Sequence, residues 1–164
     1  MEHNIQIAGF KADIKSVPDV LNRVRDIAGK GTIQLIQAQG VAGTEHLLHS
    51  TLQALLAFDR DENFSQDLGL EICLRASGQR QISRAIQLLG ITEGKQELCA
   101  VVVGCQEDTF PELENLLGPM DNTVLKVDPE KLKQIYKISD SELYAYQNIE
   151  RLLMERTTLL NLEK

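Results

Sequence analysis

The chain has 164 residues, with 17 Lys and Arg against 24 Asp and Glu, for a formal charge of −7. Its 43% apolar and 25% charged residues match an ordinary globular domain and exclude a disordered, a collagen-like or a disulfide-stapled chain. The acidic balance argues against a general nucleic-acid coat, which needs basic charge to displace counterions, yet it leaves room for one local basic site.

Taken in order, residues 4–12 read as a first strand around Ile5, Ile7 and Phe10. Ser16 opens a helix with Pro18 in its first turn, apolar positions at Val17, Val20, Leu21, Val24, Ile27 and Ala28, and Gly29 at its end. A second strand covers 32–38 and a turn runs from Gly40 to Gly43. Thr44 is expected to cap the next helix, which carries Leu47, Leu48, Thr51, Leu52, Leu55 and Phe58 on one face. A polar loop from Asp59 to Asp67 leads to residues 69–76, where Leu70, Ile72 and Leu74 alternate with Glu71, Cys73 and Arg75 and predict a third strand.

A short helix with Ile82, Ala85, Ile86 and Leu89 closes at Gly90. Residues 97–104 are the most β-prone and apolar, so they are placed as the central strand. A helix near 110–117 stops at Gly118-Pro119, and an extended piece holds Val124, Leu125 and Val127. Two helices follow, near 129–137 and 140–162, with Ser139 and Glu142 as a capping box for the last. The alternation implies an α/β fold: one domain over 1–164, with a small, mixed central sheet of four to five strands flanked by helices.

No GxGxxG, P-loop, GxSxG or HExxH motif is present, so the chain is not expected to be an enzyme and no cofactor is implied. His46 and His49 lie three apart on one helix and could share a metal. The only other histidine is His3, and only Glu45 has ligand spacing nearby, so surface or partner-facing histidines are the plainer reading. Cys105 would need a base that the sequence does not name. The odd count of Cys73, Cys99 and Cys105 and the apolar neighbours of Cys73 and Cys99 argue for buried reduced thiols, and the lack of a CxxC pair argues against a zinc ribbon or a thioredoxin-type site. No signal-peptide pattern follows Met1, and the run Leu98–Val103 is far short of a membrane span, so the expected location is cytoplasmic, with no membrane contact.

Charge distribution says more. Between Ile72 and Thr92 stand Arg75, Arg80 and Arg84 and no acid. Within this island Ser77-Gly78-Gln79-Arg80-Gln81 reads as a turn into a helix N-terminus, whose free N–H groups suit an anion. The plain alternative is a strand-to-helix turn in which Ser77 caps, Gly78 relaxes the backbone and the arginines are solvated.

The stretch from Leu70 through Arg75-Ala76-Ser77-Gly78-Gln79-Arg80-Gln81-Ile82-Ser83-Arg84 to Gly90-Ile91 resembles the small Cgi/TPRKB-type subunit of the KEOPS complex. Two further segments agree, the Leu- and Ala-rich Ala42–Ala57 and the string Lys133-Gln134-Ile135-Tyr136-Lys137-Ile138-Ser139, so the resemblance runs over roughly residues 4–150. Arg75 departs from the pattern, which has an uncharged, often aromatic residue there.

The resemblance implies a non-catalytic subunit that docks on and stimulates a small atypical kinase/ATPase and helps recruit tRNA by its single-stranded 3′ CCA end. The assembly it implies installs threonylcarbamoyl-adenosine through a separate Kae/Qri-type catalytic subunit. Carried onto this sequence, the tRNA contacts are expected at Arg75, Ser77, Gly78, Gln79, Arg80, Gln81 and Arg84. The long apolar stripe of the last helix makes Leu143, Tyr146, Ile149, Leu152 and Leu153 the expected kinase-facing residues, with core filling as the alternative. Aromatic residues are only 4%, which leaves a thin stacking platform for bases. The competing reading is a free-standing sensor of small anions or nucleotides.

Overall fold

The sheet is built where apolar and β-branched residues run without a helical period. The computed structural model describes residues 4–106 and 109–162. In it β1 spans Ile5–Ile14, β2 Thr32–Gln37 and β3 Gly94–Val103, in the order β1-β3-β2 with both pairs antiparallel. The apolar run of β3 is buried throughout from Leu98 to Val103, as a strand covered on both faces requires.

Eight α-helices are present among the described residues: α1 (Val17–Ala28), α2 (Gly43–Asp59), α3 (Leu68–Ser77), α4 (Ile82–Leu89), α5 (Thr109–Leu117), α6 (Pro129–Tyr136), α7 (Asp140–Tyr146) and α8 (Ile149–Leu159). One sheet face meets α1 and α5, where Phe10, Leu35, Leu98 and Val102 pack on Val20, Val24 and Leu113. The other meets α2 and α3, where Ile36, Cys99 and Val101 pack on Leu47, Ala54, Ile72 and Leu74. The C-terminal helices add a third cluster around Ala42, Leu132, Tyr136, Ile149, Leu152 and Leu153, with α8 against both α2 and α3. No helix among the described residues is long and apolar enough to cross a membrane.

Among the described residues the sheet has three antiparallel strands where four to five mixed ones were expected, because residues 69–76 form helix α3. Asp67 caps that helix by accepting from the Leu70 N–H at 2.9 Å. Gly78 ends it in the left-handed region (φ 68°, ψ 28°), and the Gln79 N–H closes onto the Leu74 carbonyl at 3.0 Å. Eight of its ten residues are buried, so it shows no polar face from which a helical period could be read.

Three other expectations are corrected. Val124 and Leu125, expected in an extended piece, lie in a 3-10 turn over Asn122–Leu125. The helix expected over 140–162 breaks at Gln147 (φ 68°), and Asn148 caps α8 through a bond from the Arg151 N–H. Thr44 caps nothing, since α2 begins after Ala42. There the His46 ring reaches back to accept from the Ala42 N–H at 3.0 Å, the role a glutamate plays in a capping box.

Candidate functional site

The segment Ser77–Gln81 joins α3 to α4, and its residues divide between the interior and the surface. Ser77 is the last residue of α3, and its hydroxyl donates to the Cys73 carbonyl at 2.7 Å inside the protein. Gly78 supplies the left-handed turn, Arg80 and Gln81 are exposed, and Gln79 and Gly78 are half-buried. Helix α4 starts after Gln81 with no side-chain cap, so its first N–H groups face outward without a side-chain acceptor. Arg84 is exposed one turn along, with Nη1 donating to Gln87 Oε1 at 3.0 Å.

Arg75, expected among the ligand-facing residues, is fully buried instead. Its Nε donates to Glu71 Oε2 at 2.9 Å and its Nη1 to Asn161 Oδ1. The second Glu71 oxygen accepts from the Phe64 and Ser65 N–H groups, both at 2.8 Å. Thr157 donates to the Arg75 carbonyl at 2.8 Å, and Asn161 Nδ2 donates to Gln53 Oε1 at 2.9 Å. A charge desolvated to this degree survives only because it is paired, so Arg75 ties the chain together and is withdrawn from the surface. The basic island of the sequence thereby presents two arginines to solvent, Arg80 and Arg84.

Phe64 was not singled out in the sequence. Its ring centre lies 4.7 Å from Cζ of Arg75 and 5.7 Å from Cζ of Arg80, both within cation–π range. The available signal was an isolated aromatic residue inside the polar loop 59–67, where nothing local calls for one.

The residues expected to face a kinase separate in the same way. Ile149, Leu152 and Leu153 belong to the core, Leu143 is half-buried against it, and Tyr146 stands at the rim. Exposed apolar residues gather elsewhere: Leu48, Leu52 and Leu56 along α2, Ile82 and Ile86 on α4, and Leu21 on α1. Leu48 and Leu52 were expected on one face with Leu47 and Leu55, but the buried face of α2 is made of the smaller His46, Ser50, Ala54 and Ala57 together with Leu47 and Leu55. Leu21 and Ile86, with Val17, Leu70 and Ile91, line a mainly apolar groove of about 340 Å³ beside β2.

His46 and His49 address different neighbours. His46 is buried, with Nδ1 occupied by the Ala42 N–H, while His49 Nε2 lies 2.9 Å from Thr158 Oγ1 on α8. Glu45 is exposed, and His3 lies outside the described residues. Among the described residues no three His, Cys, Asp or Glu side chains are grouped to hold a metal ion. Burial pushes the Cys73 and Cys99 thiols up to about 12. Cys105, also raised by burial, has Sγ at 3.7 Å from the carbonyls of Ala28, Thr32 and Val103, and its described partners include no base.

The C-terminal string Lys133–Ser139 has structural work to do. Tyr136 donates from its buried hydroxyl to the Gly40 carbonyl, Lys137 takes the left-handed C-cap of α6, and Ser139 opens α7 with Glu142 in a capping box. Lys133 pairs with Asp140 across this corner.

The profile of a family described as kinase binding protein CGI-121 matches residues 12–161. The regulatory protein Cgi121 of Methanocaldococcus jannaschii is 31% identical over 136 residues, which cover 80% of this chain and 84% of that protein. The match takes in β2 and β3, the turn between α3 and α4, and the C-terminal corner alike, and the chain belongs to the CGI-121 family, as a Cgi121/TPRKB-type protein.

Proposed function

We propose that this protein is a non-catalytic regulatory subunit that binds and stimulates a small kinase/ATPase and helps bring tRNA to it by the 3′ CCA end. In this reading the assembly is of the KEOPS type, acts in the cytoplasm on threonylcarbamoyl-adenosine formation, and reaches its Kae/Qri-type catalytic subunit indirectly. Membership of a family described as kinase-binding carries the proposal.

The kinase surface is the groove beside β2 together with the exposed face of α4. Ile82 and Ile86 expose apolar area there, whereas Ile149, Leu152 and Leu153 are committed to the core. The tRNA surface is the neighbouring turn: Gln79, Arg80 and Gln81, with Arg84 on the helix and Phe64 behind Arg80. Bases of a single-stranded tail can stack on a guanidinium plane as well as on a ring, which lessens the need for many aromatic residues.

Co-purification with the kinase subunit and titration of intact and CCA-trimmed tRNA at fixed salt test both parts. Ile86→Arg is expected to abolish kinase binding with the far-UV circular dichroism unchanged. Arg80→Ala removes one charge-assisted contact, about 1.5–3 kcal/mol, or roughly a ten- to hundredfold loss of tRNA affinity. Equal affinity for trimmed and intact tRNA refutes the tail-binding role, and retained kinase binding by Ile86→Arg refutes the groove.

A further inference from the structure

Arg80 is an exposed side chain on a turn, and an unsupported arginine there would sample many rotamers before any contact with a ligand. Its surroundings are not unsupported. The Phe64 ring lies under it at 5.7 Å, and the same ring lies 4.7 Å from the buried Arg75 guanidinium. The backbone of Phe64 is itself held, because its N–H and that of Ser65 both donate to Glu71 Oε1. The other Glu71 oxygen takes Arg75 Nε, and Asn161 takes Nη1. Asn161 sits in the 3-10 turn Leu160–Leu162 that follows α8, and it is fixed in turn by Gln53 of α2. Ring and guanidinium contacts therefore run unbroken from the C-terminal segment to the surface turn.

We propose that Arg75 is a positioning residue: anchored by Glu71 and Asn161, it sets the Phe64 ring on which Arg80 is held ready for the tRNA tail. This rests on the RNA reading for the identity of the ligand, but the positioning itself does not depend on it. Two observations support it. Among the described residues Arg75 Nη2 has no hydrogen-bond partner, so the guanidinium is kept in the interior at a cost that well-packed apolar residues would avoid. Glu71 divides its two oxygens between Arg75 and the Phe64 backbone, so one carboxylate fixes both the guanidinium and the ring. By this route the C-terminal segment, far away in sequence, controls the turn, and a partner that shifts Asn161 alters RNA affinity.

Arg75→Met is the obvious variant, but it removes half of a buried ion pair and can unfold the protein. Asn161→Ala, at the half-buried end of the chain of contacts, is the working one, with Asn161→Asp as its conservative rescue. The first readout is the nuclear magnetic resonance position of the Arg80 side-chain Nε–Hε, which the Phe64 ring current displaces and which needs no ligand. It is expected to lose its displacement in Phe64→Leu, to lose part of it in Asn161→Ala and to regain it in Asn161→Asp. The second is tRNA affinity. Asn161→Ala is expected to weaken it about two- to fivefold, the size of one exposed cation–π contact, and to have no effect in an Arg80→Ala background. An Arg80 signal unchanged by Asn161→Ala overturns the proposal, as does an equal loss of affinity with and without Arg80. If the wild-type protein binds no tRNA, the RNA reading falls, and the resonance shifts alone decide the positioning.

Discussion

Lowering the pH is expected to destabilise the fold through His46, well before most carboxylates protonate. Burial holds its imidazole down at about 4 against an ordinary 6.5; contact with the Ala76 backbone raises it somewhat and the neighbouring His49 lowers it further. The ring is fully buried, and its Nδ1 accepts from the Ala42 N–H. The neutral form therefore carries its proton on Nε2, and charging it would place a second donor against the Ala42 N–H. Between pH 6.5 and about 4 the unfolded chain binds a proton here that the folded chain refuses, so stability falls as pH falls. At 1.36 kcal/mol for each pH unit the loss comes to about 3 kcal/mol, complete near pH 4 and absent above pH 7. For a chain of this length that lowers the melting temperature by about 6–12 °C. The assay is urea unfolding at half-unit steps from pH 7.5 to 4, on the wild type and on His46→Asn, whose Oδ1 can keep the bond to Ala42. Subtracting the two curves removes the contribution of surface carboxylates. A difference that narrows steadily from pH 6.5 downward supports the reasoning; parallel curves refute it.

The buried pair Glu71–Arg75 gives a second expectation: Arg75→Met leaves an unpaired carboxylate in the interior and costs about 3–5 kcal/mol in urea unfolding. Leu152→Ala, at a side chain only 1% exposed, is expected to cost about 2–5 kcal/mol, measured the same way, while Leu52→Ala on the exposed α2 stripe stays within about 0.5 kcal/mol. Gly78→Ala forces a Cβ into the left-handed cap between α3 and α4 at about 1–2 kcal/mol; a neutral result by thermal melting would mean that the cap rearranges.

Elements marked by a one-sided apolar spacing or by an unbroken apolar run were legible in the sequence. Helix α1 announced itself by Ser16, Pro18 and its spaced valines, and β3 by an apolar run too short for anything but a strand buried on both faces. Helix α3 was not legible by the same means, because a helix buried all round has no period to detect, and Leu70, Ile72 and Leu74 alternate by accident. The better signal was the pair Glu71 and Arg75, four apart, which is a helical spacing and which read as the wet face of a strand only while the strand was assumed. The same error hid the site. With Arg75 placed in solvent, the island looked like three ligand-facing arginines, whereas one of them is the interior support of another. Phe64 and the groove lined by Leu21 and Ile86 depend on elements distant in sequence meeting in space, and no local pattern encodes that.

The position of β3 between β1 and β2 also governs how the chain can be made. The two outer strands lie in the first quarter of the sequence and do not touch each other, so neither has a partner until the segment ending at Val103 is available. Ile5 must find Val103 and Thr32 the same residue, contacts of long sequence separation that are slow to form. Throughout synthesis of the first hundred or so residues, two apolar strands stand with both edges open to any other chain. Yield in a cell is then set by the race between completing β3 and pairing with a stranger, a kinetic quantity that stabilising the finished fold does not change.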